Sequence, residues 1–129
     1  NQALHLDNQH VDALKLKSNV QENLEDWAGY YEANWHVAKL SEDPNEKEIA
    51  NVSMAVSWME RLDFKQANSM LDKYLKENPT SHSALHRKFD CAMQTKKFSK
   101  ALALANKIYK ITFFTYFNSI SLDAFFTEE

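Results

Sequence analysis

The chain contains few residues that interrupt helices. Its 129 residues include one glycine, Gly29, and two prolines, Pro44 and Pro79. Average usage would place roughly 9 glycines and 6 prolines in a chain of this length. Because the turns between strands rely on glycine for positive φ angles, the chain has too little glycine for a sheet-rich fold. The composition therefore predicts helices joined by short loops.

Cysteine, basic charge and long apolar runs are also scarce. The single cysteine, Cys91, excludes an internal disulfide framework. The net charge of −3, with only small basic clusters at Lys15 with Lys17 and at Lys96 with Lys97, lacks the basic face that nucleic acid requires. There is no run of about 18 apolar residues, so we expect a soluble chain without a membrane span. No signal peptide is evident, and we expect an excised piece of a longer protein.

The strongest positive signal is an internal repeat with a period of 34. Four apolar positions recur at this spacing: Tyr30, Phe64 and Phe98; Ala33, Ala67 and Ala101; Val37, Leu71 and Ala105; Leu40, Tyr74 and Ile108. Within each copy the offsets are three, four and three residues, which places the four positions on one face of an α-helix.

A second amphipathic stretch precedes each of these helices, at about residues 11–24, 45–62 and 81–95. Asp63 with Gln66 three residues later forms a capping-box pattern at the start of one helix. Asp43 before Pro44 is a similar start signal, and Pro79 stops the helix that precedes it. The pattern predicts three helix pairs.

A helix–turn–helix unit of this length resembles the tetratricopeptide repeat, over residues 3–111 and most clearly over residues 48–81. The residues that match its signature are Ala55, Trp58, Phe64, Ala67 and Pro79. The third copy departs from the pattern, since Phe89 stands where the family has a small residue. In the first copy the signature proline, Pro44, comes one place early.

The resemblance implies an all-α fold, an α-solenoid of tetratricopeptide-like helix pairs. Its units would be a partial repeat at 1–8, repeats at about 9–44, 45–79 and 80–111, and an aromatic C-terminal segment at 112–129. We expect this last segment to cap the solenoid, with Phe114, Phe117 and Phe125 laid against Phe98, Leu102 and Ile108. The alternative is that it fills the concave groove.

By the same resemblance, the first helix of each pair lines a concave surface. The partner-binding residues would be Lys15, Asn19, Val52, Val56, Met59, His86, Asp90 and Met93, with Asp12, Ile49 and Ser83 facing the same surface. Val52, Val56 and Met59 make the second of these helices apolar nearly all round. Such a helix either offers an apolar patch to a partner or is covered by a neighbouring helix or the C-terminal segment.

One branch of the family clamps the terminal carboxylate of its partner. Lys15 and Asn19 resemble the opening pair of that clamp, and Arg87 resembles its arginine. Ser53 and Ser83 stand where the clamp has asparagine and lysine, so we do not favour this mode.

The sequence offers little for catalysis, metal or cofactor. His82 and His86 lie four residues apart, but Cys91 falls on another face of the same helix and no third ligand is evident. We interpret both histidines as surface residues and Cys91 as a buried structural thiol. One glycine does not build a phosphate-binding loop. We therefore expect no metal, no cofactor and no enzyme.

The function that this reading favours is a protein–protein interaction scaffold or adaptor that binds a peptide or helix in the concave groove. Two alternatives stay open. One is a self-association or spacer module, in which a homo-oligomer forms within a larger protein. The other is the regulatory arm of an enzyme encoded elsewhere in the parent chain.

Overall fold

The chain folds into six α-helices. The computed structural model describes the backbone of residues 2–127 and the side chains of residues 8–120. The helices are α1 Gln2–Asn23, α2 Trp27–Leu40, α3 Pro44–Glu60, α4 Phe64–Glu77, α5 His82–Gln94 and α6 Phe98–Thr127. Over residues 2–127 there is no strand, and no helix combines the length and apolar character needed to cross a membrane.

Each helix packs against the next one in the chain, and α3 packs in addition against α5. The main core lies between α3, α4 and α5, where Ala55, Ala67, Leu71, Ala84 and Cys91 are almost completely buried. A smaller cluster of Val11, Val37 and Ala50 joins the first pair to α3. The all-α fold with helices in adjacent pairs, expected from the sequence, is confirmed.

The turn inside each pair has the same unusual geometry. Glu25, Leu62 and Lys96 have φ angles of 57°, 63° and 60°, which is the left-handed region that favours glycine. At the second turn Leu62 N–H donates to Met59 O and Asp63 N–H donates to Trp58 O, both at 2.9 Å. This pair of bonds defines a Schellman motif, and the first and third turns repeat it.

The helix starts and stops agree with the sequence signals. The Asp63 carboxylate accepts from Gln66 N–H at 3.2 Å, so the cap of α4 is as expected. The Asp43 carboxylate accepts from Asn45 N–H at 2.9 Å, with Pro44 as the first residue of α3. α4 ends at Glu77, just ahead of the predicted proline stop.

The only glycine has a packing role instead of a turn role. Gly29 has an ordinary φ angle and lies in the first turn of α2. Its N–H donates to the Asp26 carboxylate at 3.1 Å, which caps the helix. A Cβ at this position would come within 2.3 Å of both the Asp26 carboxylate and the Gln21 amide nitrogen. Glycine leaves room for the cap.

The two ends of the chain differ from the expected architecture. α1 is one helix from Gln2 to Asn23, with no break at the boundary expected between a partial repeat at 1–8 and the first repeat. α6 is likewise continuous from Phe98 to Thr127. Because no proline or glycine follows Pro79, nothing interrupts its hydrogen-bond ladder after Ile111.

The expected C-terminal cap is therefore wrong. Residues 112–127 continue the helix that carries Phe98, Leu102 and Ile108, so they do not fold back onto those side chains. The side chains of residues 112–120 are exposed, including Phe114 and Phe117, and they lie neither on the core nor in a groove with Val52 and Val56. The side chain of Phe125 lies outside the described part of the chain.

The repeat register predicts a penalty for enlarging a buried alanine. Ala67 is fully buried in the main core. Replacing it with leucine should lower the free energy of unfolding by about 1–3 kcal/mol through overpacking. Ala103→Leu on the exposed side of α6 is the matched control and should stay within about 0.5 kcal/mol. Urea denaturation of both variants gives the comparison, and equal stabilities would contradict the packing.

The left-handed turns predict a gain from glycine. Leu62 is 73% exposed, so its side chain contributes little packing while its backbone carries the cost of positive φ. Leu62→Gly should raise the free energy of unfolding by about 0.5–1 kcal/mol. Leu62→Ala removes the same side chain but keeps a Cβ in the left-handed region, and it should give no gain. Thermal denaturation of the two variants side by side separates relief of strain from loss of leucine.

Candidate binding groove

A groove of about 610 Å³ lies along α3 and α5, closed at one side by the end of α1 and the start of α2. We call it the α3–α5 groove. Its apolar lining consists of Trp27, Tyr30, Ile49, Val52 and Val56, and its polar lining of Glu22, Ser53, Glu60, His82, Ser83, His86, Arg87 and Asp90. The groove lies on the surface that the sequence predicts to bind a partner. The residues that the first helix pair contributes to it differ from those expected.

The start of α5 is tied to α3 by one serine. Ser81 is the N-cap of α5, and its hydroxyl oxygen accepts from Ala84 N–H at 3.3 Å. The same hydroxyl donates to the Glu48 carboxylate of α3 at 2.8 Å. Ser81 is buried and Glu48 is half-buried, so this contact is partly shielded from water. It fixes where α5 begins relative to α3, and therefore the position of the groove walls.

The floor of the groove is apolar and only partly covered. Val52 is buried in the main core, and Val56 is half-buried against it. Ile49, one helical turn before Ser53, leaves 64% of its surface exposed. Trp27 packs edge to face on Tyr30, with ring centroids 5.5 Å apart. The floor is held by α3, whose Val52 and Val56 also contact the main core.

Tyr30 contributes a hydroxyl to the wall. Burial raises the pKa of Tyr30, and a hydrogen-bonding contribution from the Ser53 hydroxyl partly offsets the rise. The hydroxyl is therefore protonated throughout the neutral range, and it adds a polar group to the wall beside Trp27.

The rim of the groove carries more negative than positive charge. Glu22, Glu60 and Asp90 supply three carboxylates, and Arg87 is the one guanidinium in the lining. Three negative charges against one positive charge leave −2 when the histidines are neutral. Arg87 also contacts the Asp90 carboxylate at 3.5 Å, so part of its charge is already matched.

The residues expected from α3 and α5 divide into two groups. Val52, Val56, His86 and Asp90 line the groove together, as do Ile49 and Ser83. Met59 is not part of the lining, because it is buried among the core residues between α3 and α4. Met93 is exposed near the end of α5 and is also outside the lining.

The residues expected from α1 lie elsewhere. The Lys15 ammonium contacts the Glu46 carboxylate at 2.5 Å and the Asp12 carboxylate at 4.0 Å. Hydrogen bonding to Glu46 raises the pKa of Lys15, and hydrogen bonding to Lys15 lowers the pKa of Glu46. Asn19 is exposed outside the groove, and its backbone oxygen accepts from the Asn23 amide. Arg87 lines the α3–α5 groove, whereas Lys15 and Asn19 are not part of that lining.

The groove also includes residues that the sequence did not indicate as binding residues. Glu22, Trp27 and Tyr30 replace the middle of α1 as its wall. The spacing of the left-handed turn residues at 25, 62 and 96 is 37 for the first two and 34 for the last two. Lys15 and Asn19 already keep this spacing of 37 from Val52 and Val56. They lie outside the groove because α1 packs on α2 and, unlike α5, does not pack on α3.

A second depression, of about 530 Å³, lies on the other side of α3 and is bordered by α2 and α4. Its polar groups already bond locally: the Asn51 amide donates to Lys47 O and the Asn78 amide donates to Tyr74 O. The Lys39 ammonium lies 5.4 Å from the centroid of the Trp35 ring. We favour the α3–α5 groove because its two long walls come from the first helices of successive pairs, the arrangement by which helical repeats form an extended binding surface.

The histidines and the cysteine do not form a reactive group. The rings of His82 and His86 are 5.7 Å apart. Among the described residues there is no cluster of three or more histidine, cysteine, aspartate or glutamate side chains that would hold a metal ion. Cys91 is fully buried in the core. Burial raises the pKa of its thiol, and the Asp90 charge adds to the rise, so the thiolate that a nucleophile needs is disfavoured.

The raised pKa of Cys91 predicts a loss of stability at alkaline pH. An unfolded thiol releases its proton near pH 8.5, whereas the native thiol retains it, so stability falls as the pH rises above about 8.5. Between pH 7.5 and 9.5 the wild type should lose up to about 1 kcal/mol more than Cys91→Ala. Lys15, Tyr30 and Tyr74 are present in both proteins, so their titration cancels in the comparison. Equal losses in urea denaturation would contradict the prediction.

Comparison of the chain with protein-family models, with curated proteins and with solved structures gives no match. The shape, burial and charge of the α3–α5 groove are therefore the basis for inferring its function.

Proposed function

We propose that the chain is a protein-interaction module, a tetratricopeptide-like α-solenoid segment of three helix pairs that binds a peptide or helix of a partner protein in the α3–α5 groove. The observation that carries the proposal is the exposed apolar floor around Ile49 and Val56, bordered by charged side chains. An apolar centre with a polar rim is the usual anatomy of a surface that binds protein.

The solenoid assignment rests on the equivalence of the three pairs. Tyr30, Ala67 and Ala101 each stand five residues after the left-handed turn residue of their pair, and each is buried. The three intra-pair turns share one backbone geometry. First helices that pack side by side, as α3 and α5 do, create a continuous surface on which an extended partner lies.

The charge of the rim indicates the composition of the partner. Three carboxylates against one guanidinium favour a segment that carries lysine or arginine beside its apolar residues. The apolar side chains would cover Ile49, Val52 and Val56, and the basic ones would approach Glu22, Glu60 and Asp90. An acidic segment would meet repulsion at the same rim.

The groove test uses a random peptide library displayed on phage and selected on the wild-type chain. Enriched peptides should contain apolar and basic residues. Their affinity, measured by fluorescence anisotropy, should fall at least about tenfold in Ile49→Glu, because a charge then occupies the apolar floor. Leu16→Glu on α1 is the matched control, since Leu16 is similarly exposed but lies outside the groove, and it should bind like the wild type.

A second variant tests the charge argument. Glu60→Lys reverses one rim charge on an exposed side chain and should weaken binding of the basic peptides, with a smaller effect at high salt. Circular dichroism should show unchanged helix content in all three variants. Peptides that bind Ile49→Glu and Leu16→Glu equally well would place the binding surface elsewhere, and a library without enriched peptides would remove the proposal.

A further inference from the structure

α6 carries an apolar stripe that no helix covers. The exposed apolar side chains that form the stripe are Phe98, Leu102, Tyr109, Phe113, Tyr116, Phe117 and Ile120. Phe114 is also exposed but lies outside the stripe. At 3.6 residues per turn these seven positions fall within roughly 100° of one another around the helix axis. Ala101, the buried residue that faces α5, lies on a different side. The stripe is therefore a second apolar face of α6, separate from the one that packs inside the third pair.

In the first helix pair, the face of α2 that is equivalent to this stripe contacts the next helix. Counted from the left-handed turn residues Glu25 and Lys96, Leu102 is equivalent to Tyr31 and Tyr109 to Ala38. Tyr31 packs on Trp58 of α3, with ring centroids 5.9 Å apart, and Ala38 packs against the cluster that contains Ala50 of α3. Leu102 and Tyr109 are instead 63% and 67% exposed. The stripe on α6 therefore corresponds to the face of α2 that α3 covers.

α6 does not end as the other second helices do. α2 and α4 each have 14 residues and are followed by a turn into the next pair, whereas α6 has 30 residues. His82 at the start of α5 contacts the Thr112 hydroxyl at 3.2 Å, which marks the point where the third pair ends. Beyond it α6 extends about 24 Å. The rings of Tyr109, Phe113 and Phe117 stack in sequence along this part, with centroids 6.1 and 6.2 Å apart.

We infer that this stripe, Phe98 to Ile120 on α6, is a self-association surface occupied by α6 of a second copy of the chain. Tyr109, Phe113, Tyr116 and Ile120 follow one another at spacings of four, three and four residues, which is the seam of paired helices. Between Ile111 and Ile120 there is no charged residue, so two such seams meet without repulsion.

The exposed area fits a dimer better than a monomer. Seven side chains of this kind, each about half exposed or more, present roughly 700 Å². Monomeric proteins leave apolar patches of about 300–600 Å² open, and a stable interface covers about 800 Å² on each partner. The surface does not include the lining of the α3–α5 groove, so the inference is independent of the proposed function.

Sedimentation-velocity ultracentrifugation of the chain between 1 and 100 µM tests the inference. We expect a dimer. Phe113→Glu with Tyr116→Glu should raise the dissociation constant at least about a hundredfold, since each charge enters the apolar seam. Leu102→Glu should do the same from the part of α6 that lies beside α5. All these side chains are exposed, so circular dichroism should show unchanged helix content.

Two control variants should remain dimeric. Leu16→Glu places the same charge on an exposed leucine of α1, and Ile49→Glu places it in the α3–α5 groove. A wild-type chain that is monomeric at 100 µM overturns the inference. A dimer that the α6 variants leave intact also overturns it, since another surface then joins the two copies.

Discussion

The architecture depends on three left-handed residues that join helices without a linker. Glu25, Leu62 and Lys96 each reverse the chain in a Schellman motif. In the first two pairs the next residue, Asp26 or Asp63, is already the N-cap of the following helix. With no spare residue between the helices, the two helices of each pair are held at one angle. The buried alanines can pack only because the turn sets that angle.

The connections between pairs act through side chains instead of backbone geometry. Ser81 ties the N-terminus of α5 to Glu48 of α3. Glu46 of α3 accepts from the Ser41 hydroxyl at 2.7 Å and from Lys15 of α1. In each case a serine next to the helix start contacts a glutamate in α3. The groove walls are therefore positioned by hydrogen bonds at their ends and by the apolar core below.

The sequence predicts most of this architecture because the governing signals are local. Asp43, Asp63 and Pro79 each act on their immediate neighbours, and the helix boundaries follow from them. The residues expected on α3 and α5 fall on one surface for the same reason, since both helices keep the spacing of 34, although Met59 and Met93 are outside the groove lining. Lys15 and Asn19 lie outside the groove because α1 does not pack on α3 as α5 does, which the repeat spacing does not reveal. The segment after Ile111 was expected to be separate from α6 because the 34-residue repeat ends there. The end of a repeat does not stop a helix, and α6 continues to Thr127.

Burial explains why the groove lining differs from the expected residues at Met59, Trp27 and Tyr30. Met59 follows the repeat, but the core between α3 and α4 takes up its side chain. Trp27 and Tyr30 have the spacing of core residues, and Tyr30 is in fact buried, yet each also borders the groove. A helical period indicates which face is apolar. It does not indicate how much of that face the neighbouring helix leaves open, which depends on three-dimensional packing.

The contrast between the two kinds of connection determines where the chain tolerates added length. An insertion beside Leu62 would break two backbone hydrogen bonds and separate the end of one helix from the cap of the next. Between pairs, Glu42 and Thr80 are exposed and lie between helices. An extra loop or a small folded domain inserted at either position would leave every helix pair intact. Domain insertions in proteins built like this one should therefore occur between helix pairs and not within them.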